Sequence, residues 1–158
     1  MNNKVAFISY ALRDSEQFVL TLLSNLLREE GYSINSSYDD YMHIVQMSTH
    51  NSILKSSLFI GLITQYGDRN QNVFNEWQVA VENDVPNLLL IEDSVNIASE
   101  LLNHNNLVRF NRNYPNQQIE NIKARIKNAK GKSENNSALG WLLGGIAAVA
   151  IIKLLSDE

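Results

Sequence analysis

The stretch SLFIGLIT, residues 57–64, constrains the fold more than any other part of the chain. It carries no polar side chain between its terminal serine and threonine. A strand with one wet face alternates apolar and polar residues. An unbroken run of this length suits a strand buried on both faces, as in a parallel sheet sandwiched between helices. KVAFISY (4–10) and NLLLIE (87–92) have the same character, LVRF (107–110) is a shorter relative, and YSINS (32–36) is a weaker one. The intervening segments change period. Phe18, Val19, Leu22, Leu23, Leu26 and Leu27 recur at helical spacing, with Asp14 or Ser15 to cap the helix and Gly31 to stop it. The pattern predicts a shorter helix over about 45–55 and another over about 73–83, with Pro86 ahead of the next strand. Pro115 suits the first position of a last helix, running to about 129. There is no internal repeat. Strands alternating with helices predict an α/β fold: a flavodoxin-like, doubly wound parallel sheet. Such sheets bind ligands beyond the carboxyl ends of their strands. Ser9, the polar loop at 37–43 and the loop before Glu76 are expected at that edge.

A chain of 158 residues suits one such domain. Hydrophobic residues at 44% against 19% charged supply a core and exclude a disordered polymer. A net charge of −4 offers no basic surplus for a phosphate backbone, so no nucleic-acid partner is expected. Cysteine is absent, which excludes disulfides, zinc–thiolate sites and thiol nucleophiles and suits a reducing cytoplasm. The opening MNNKVAFISY is too short and polar ahead of its first strand for a signal peptide. Gly31, Gly61, Gly67, Gly131, Gly140, Gly144 and Gly145 form neither GxGxxG after the first strand nor a Walker loop, against a Rossmann cofactor site or a P-loop. His43, His50 and His104 lack ligand spacing, so no metal is expected. GLITQ contains no serine elbow, which argues against an α/β-hydrolase.

Four segments in order carry a family likeness. FISYA resembles the first box of Toll/interleukin-1 receptor (TIR) domains. SYDDY falls where that family places its BB loop, and SSLFIGLIT looks like its third strand. NVFNEWQVA resembles the helix that carries the catalytic glutamate of NAD-cleaving members. The match runs over roughly residues 4–129. It implies a TIR-like domain over 1–129, with Glu76 as the catalytic residue. It implies NAD as substrate, without a further cofactor, in a reaction of the NAD glycohydrolase or ADP-ribosyl cyclase type. Ser9, Tyr10, Arg13, Asp39, Asp40 and Trp77 are the candidate substrate-binding residues. Ser9 would meet the ribose or a phosphate, Arg13 the pyrophosphate, and Trp77 the nicotinamide. Asp39, Asp40 and Tyr41 would also reach a neighbouring protomer, because family enzymes build active sites between protomers in a homo-oligomer. The resemblance extends to bacterial TIR proteins of Thoeris-like antiviral defence, in which a downstream effector senses a nucleotide product. The alternative is a non-catalytic TIR scaffold, or a membrane-associated effector, that assembles through TIR–TIR contacts.

The chemistry gives Glu76 a definite task under that reading. Breaking the C–N glycosidic bond of NAD releases neutral nicotinamide and leaves an oxocarbenium-like ribose. A carboxylate beside the ribose holds its hydroxyls and stabilises the developing charge, the electrostatic logic also used by glycosidases. Ordinary roles compete with each assignment. An acidic residue in a first helical turn complements the macrodipole. A tryptophan on an apolar helix face fills a core. Ser9 would be a strand-end hydroxyl satisfied by backbone, Arg13 an exposed ion pair, and Asp39 to Tyr41 a solvated turn.

After a polar linker, KGKSENNS (130–137), residues 138–155 are apolar apart from Lys153. As a helix they would extend roughly 27 Å at 1.5 Å per residue, slightly less than a bilayer core of about 30 Å. Lys153 could snorkel to an interface. Gly140, Gly144 and Ala148 form a small-residue stripe that permits close helix approach. Lys123, Arg125, Lys127, Lys130 and Lys132 precede the segment, which would keep the domain on the cytoplasmic side of the inner membrane. The expectation is a hydrophobic helix that anchors in a membrane or self-associates, against a buried helix packed on the domain or in an oligomer.

Overall fold

A computed structural model describes residues 4–12, 17–29, 31–36, 47–65, 67, 69–97, 99 and 106–111. Five strands, β1 (Lys4–Ala11), β2 (Tyr32–Ser36), β3 (Leu58–Ile63), β4 (Asn87–Glu92) and β5 (Leu107–Phe110), form one sheet in the order β2-β1-β3-β4-β5. Every pairing is parallel. Three helices are described: α1 (Phe18–Glu29), α2 (Met47–Leu54) and α3 (Asn70–Glu82).

Sheet order explains the two layers. The chain steps from β1 outward to β2, then back across to β3 and on to β4. Right-handed crossovers therefore send α1 to one face and α2 and α3 to the other. The two core clusters divide accordingly. Val19, Leu23 and Leu27 of α1 pack on Ala6, Ile8, Ile60 and Leu90. Ile53 of α2 and Val73, Trp77 and Ala80 of α3 pack on Phe7, Ala11, Phe59 and Leu89. Phe7 and Phe59 stack with centroids 5.8 Å apart, tying β1 to β3 on the α3 side. β3 and β4 are buried at every position, as unbroken apolar runs require. β2, at the sheet edge, is buried only at Tyr32 and alternates thereafter.

Several boundaries depart from the pattern-based expectation. α3 starts at Asn70, a turn before the expected position near 73, and α2 spans Met47–Leu54 within the broader expected segment. Gly31 stops α1 as expected, with φ of +93° and its N–H donating to the Arg28 carbonyl at 3.0 Å. In α1 only one of two apolar stripes is buried. Val19, Leu23 and Leu27 face the sheet, Phe18 and Leu22 are exposed, and Leu26 is half-buried. Arg13, Asp14, Ser15, the loop carrying Asp39, Asp40 and Tyr41, the expected helix from Pro115, the linker and the apolar tail lie outside the described residues. Among the described residues no helix is long and apolar enough to cross a membrane.

Candidate functional site

The carboxyl edge of the sheet is built around the turn from β3 into α3. Thr64 leaves β3 with its backbone N–H and its hydroxyl both directed at the Ala11 carbonyl, at 3.3 and 3.4 Å. The Gln65 N–H donates to Glu92 Oε1 at 3.0 Å. Gly67 sits so close to β1 that an added Cβ would lie 2.0 Å from the Ala11 carbonyl oxygen, which reserves the position for glycine. Arg69 then precedes α3 and closes the turn onto β1, donating from Nη1 to the Tyr10 carbonyl at 3.1 Å. Its guanidinium carbon lies 5.9 Å from the Tyr10 ring centroid.

Glu76 faces this turn. It is the seventh residue of α3, beyond the first turn, and is only 1% exposed. The macrodipole account of Glu76 therefore does not hold, and neither does a solvated position. Helical side chains lean towards the N-terminus of their helix, and the N-terminus of α3 lies at the carboxyl edge. The Glu76 carboxylate accordingly reaches back along α3, placing Oε2 3.8 Å from Arg69 Nη2. A buried carboxyl group that stays ionised needs such a charge partner.

The other expected residues separate into three groups. Ser9 lies on the same side of the sheet as α3, opposite Gly61 in the register. It is fully buried, and its hydroxyl has no hydrogen-bond partner among the described residues, contrary to the strand-end hydroxyl satisfied by backbone. Tyr10 is half-buried and contributes its carbonyl and ring to Arg69. Trp77 points elsewhere. Its indole N–H donates at 2.8 Å to Asn87 Oδ1, on the first residue of β4, at the amino edge of the sheet. Its ring belongs to the core cluster on the α3 side, so its surroundings are those of a core tryptophan. Arg13, Asp39 and Asp40 lie outside the described residues.

Two residues join the site without having been singled out in the sequence. Arg69 follows from spacing: seven residues before Glu76 it shares a helical face with it across two turns. Glu92 is the acid that ends the apolar strand β4, and it is buried where it receives the Gln65 N–H. Beyond β4, Arg109 of β5 donates to the carbonyls of Asp93 and, at 2.9 Å, Val95, holding the neighbouring part of the same edge.

No protein-family model matches the sequence, and no curated protein does. Among solved structures, the chain is similar to one described as the activated Roq1 resistosome directly recognizing the pathogen effector XopQ (TIR domains). Identity is 11%, 99% of each chain is covered, and the TM-score is 0.45, a likeness too distant to assign a family or an activity.

Proposed function

We propose that the chain cleaves the nicotinamide–ribose bond of NAD, with Glu76 as the catalytic carboxylate. The observation behind this reading is the place of that side chain. A buried acid reaches to the carboxyl edge of a doubly wound sheet, where such folds hold ligands, and an arginine stands against it. The motif likeness around FISYA and NVFNEWQVA supports the same residue. In the reaction the C–N bond breaks with its electron pair leaving on neutral nicotinamide. The Glu76 carboxylate stabilises the oxocarbenium-like ribose. Water capture gives ADP-ribose and a proton; capture by an internal nucleophile gives a cyclic product. Ser9 and Arg13 are proposed to contact the sugar and pyrophosphate, and Asp39 and Asp40 to complete the site from a neighbouring protomer.

At 1% exposure, Glu76 meets a ribose only when this edge opens. The reading therefore ties catalysis to rearrangement during homo-oligomer assembly. Residues 138–155 are proposed to concentrate the chain on the cytoplasmic side of a membrane or in self-assemblies. A defence role with a downstream effector that senses the nucleotide product remains part of this proposal. The scaffold alternative has its own observation, the exposed Phe18 and Leu22 one turn apart on α1, which offer a surface for like–like contact. Incubating the purified full chain with NAD, and resolving nicotinamide and nucleotide products by mass, tests the enzyme reading. Nicotinamide release that rises more than proportionally with protein concentration is expected. No release from assembled protein would leave the scaffold.

A further inference from the structure

We propose that Arg69 is a positioning residue for Glu76, fixed by the β3–α3 turn so that its guanidinium supplies the field in which the buried carboxylate is held. This rests on the reading of Glu76 as the catalytic group. Three contacts define the arrangement: Nη1 donates to the Tyr10 carbonyl at 3.1 Å, the guanidinium lies over the Tyr10 ring at 5.9 Å, and Nη2 stands 3.8 Å from Glu76 Oε2. The side chains of Arg69 and Glu76 are 10% and 2% exposed, so water screens the pair weakly. A guanidinium has a planar fork of donors. Here the fork is divided, one arm taken by β1 and the other turned towards α3. The 3.8 Å separation is outside hydrogen-bond range, so this contact acts on Glu76 through charge rather than through a shared proton.

The turn is constructed to hold that geometry. Thr64 is tied to Ala11, Gln65 to Glu92, and Gly67 lies against the Ala11 carbonyl. Each restraint falls within five residues of Arg69. Arg69 itself gives α3 no side-chain cap; its side chain instead crosses to Tyr10 of β1 and faces Glu76 along the helix. The consequence is a carboxylate whose charge is compensated by a partner tied to β1, an oriented electrostatic environment of the kind that transition-state stabilisation uses.

The test uses the full chain with Arg69→Met, which keeps length and removes charge, and Arg69→Lys, which keeps charge and removes the fork. Arg69→Met is expected to lower kcat about 10- to 100-fold, the scale of a misplaced catalytic group, with KM within about threefold. Arg69→Lys is expected to recover part of that loss. A higher KM at unchanged kcat would make Arg69 a substrate contact and overturn the proposal, as would unchanged kcat in Arg69→Met. Melting temperatures of wild type, Arg69→Met, Glu76→Gln and the double variant provide a readout independent of turnover. Arg69→Met is expected to melt several degrees lower, and adding Glu76→Gln to restore much of the loss, because the buried charge that Arg69 compensates is then removed as well. Strictly additive shifts would show that Arg69 does not hold Glu76 and overturn the proposal. If wild-type protein released no nicotinamide, the NAD reading would fall by itself, and the melting cycle would still decide whether Arg69 holds Glu76.

Discussion

Replacing Glu76 by Gln separates what the side chain does for the fold from what it does for chemistry. The swap conserves shape and removes one charge. Two large quantities oppose each other in its contribution to stability. At the observed 3.8 Å, unit charges attract by about 4 kcal/mol at the effective dielectric constant of 20 that suits protein sites. Withdrawing the carboxylate from water costs several kcal/mol in the other direction. The amide loses the attraction but also escapes the desolvation. Arg69 retains its bond to the Tyr10 carbonyl and about a tenth of its surface in solvent. The net change is expected to stay within about 2 kcal/mol, which for a chain of this size is a melting shift of roughly 4–8 °C at most. The effect on turnover has no such compensation. Losing the group that stabilises the oxocarbenium is expected to cost about 100- to 1,000-fold in kcat, or about 2.7–4 kcal/mol. Nicotinamide release followed by liquid chromatography, alongside calorimetric melting of the same preparation, measures both. Near-normal turnover in a variant that melts normally would refute the catalytic assignment.

Other substitutions probe the surrounding structure. Gly67→Ala places a methyl 2.0 Å from the Ala11 carbonyl oxygen, so the turn or β1 must shift; a loss of about 1–3 kcal/mol is expected, and an unchanged melting temperature would show that the contact is not tight. Trp77→Phe removes the buried N–H bonded to Asn87 and should cost about 1–3 kcal/mol in stability with no change in the KM for NAD; a raised KM at unaltered stability would return Trp77 to the substrate pocket. Deleting residues 133–158 should leave a folded soluble domain, while the full chain sediments with membranes or as large assemblies. Sedimentation and circular dichroism distinguish this from a monomeric full chain that unfolds on truncation, which would make the tail part of the domain core.

The fold was readable because its central strands have no wet face. β3 and β4 cannot lie in a half-exposed sheet, and their unbroken apolar runs demanded helices above and below. β2, β4 and β5 match the expected segments, and β1 and β3 differ only at their ends. Helices were less legible at their boundaries and in their orientation. Phe18, Leu22 and Leu26 obey the same spacing as Val19, Leu23 and Leu27, and periodicity does not say which stripe meets the sheet. The early start of α3 had no signal in apolar spacing, because its first turn is Asn70, Gln71 and Asn72, and Arg69 offers no side-chain cap.

That early start also governs how the site is read. With α3 beginning near 73, Glu76 would be a first-turn acid, and the helix macrodipole would account for it. Beginning at Asn70, α3 carries Glu76 past its first turn and into the interior, where a carboxylate needs a charge partner. The partner comes from immediately before the helix, two turns back on the same face, because the side chain of Glu76 leans towards the helix start while Arg69 is held there by Tyr10. Neither the displaced helix start nor the restraint on Arg69 is local to Glu76. The restraint depends on Ala11 and Glu92, which are distant in sequence and are brought to the turn by the parallel sheet. A glutamate on an apolar helix face could thus be singled out from sequence, whereas its guanidinium partner required the topology. The same order of construction makes the carboxyl edge sensitive to changes in the turn: a shift at Gly67 moves Arg69, and the charge beside Glu76 moves with it.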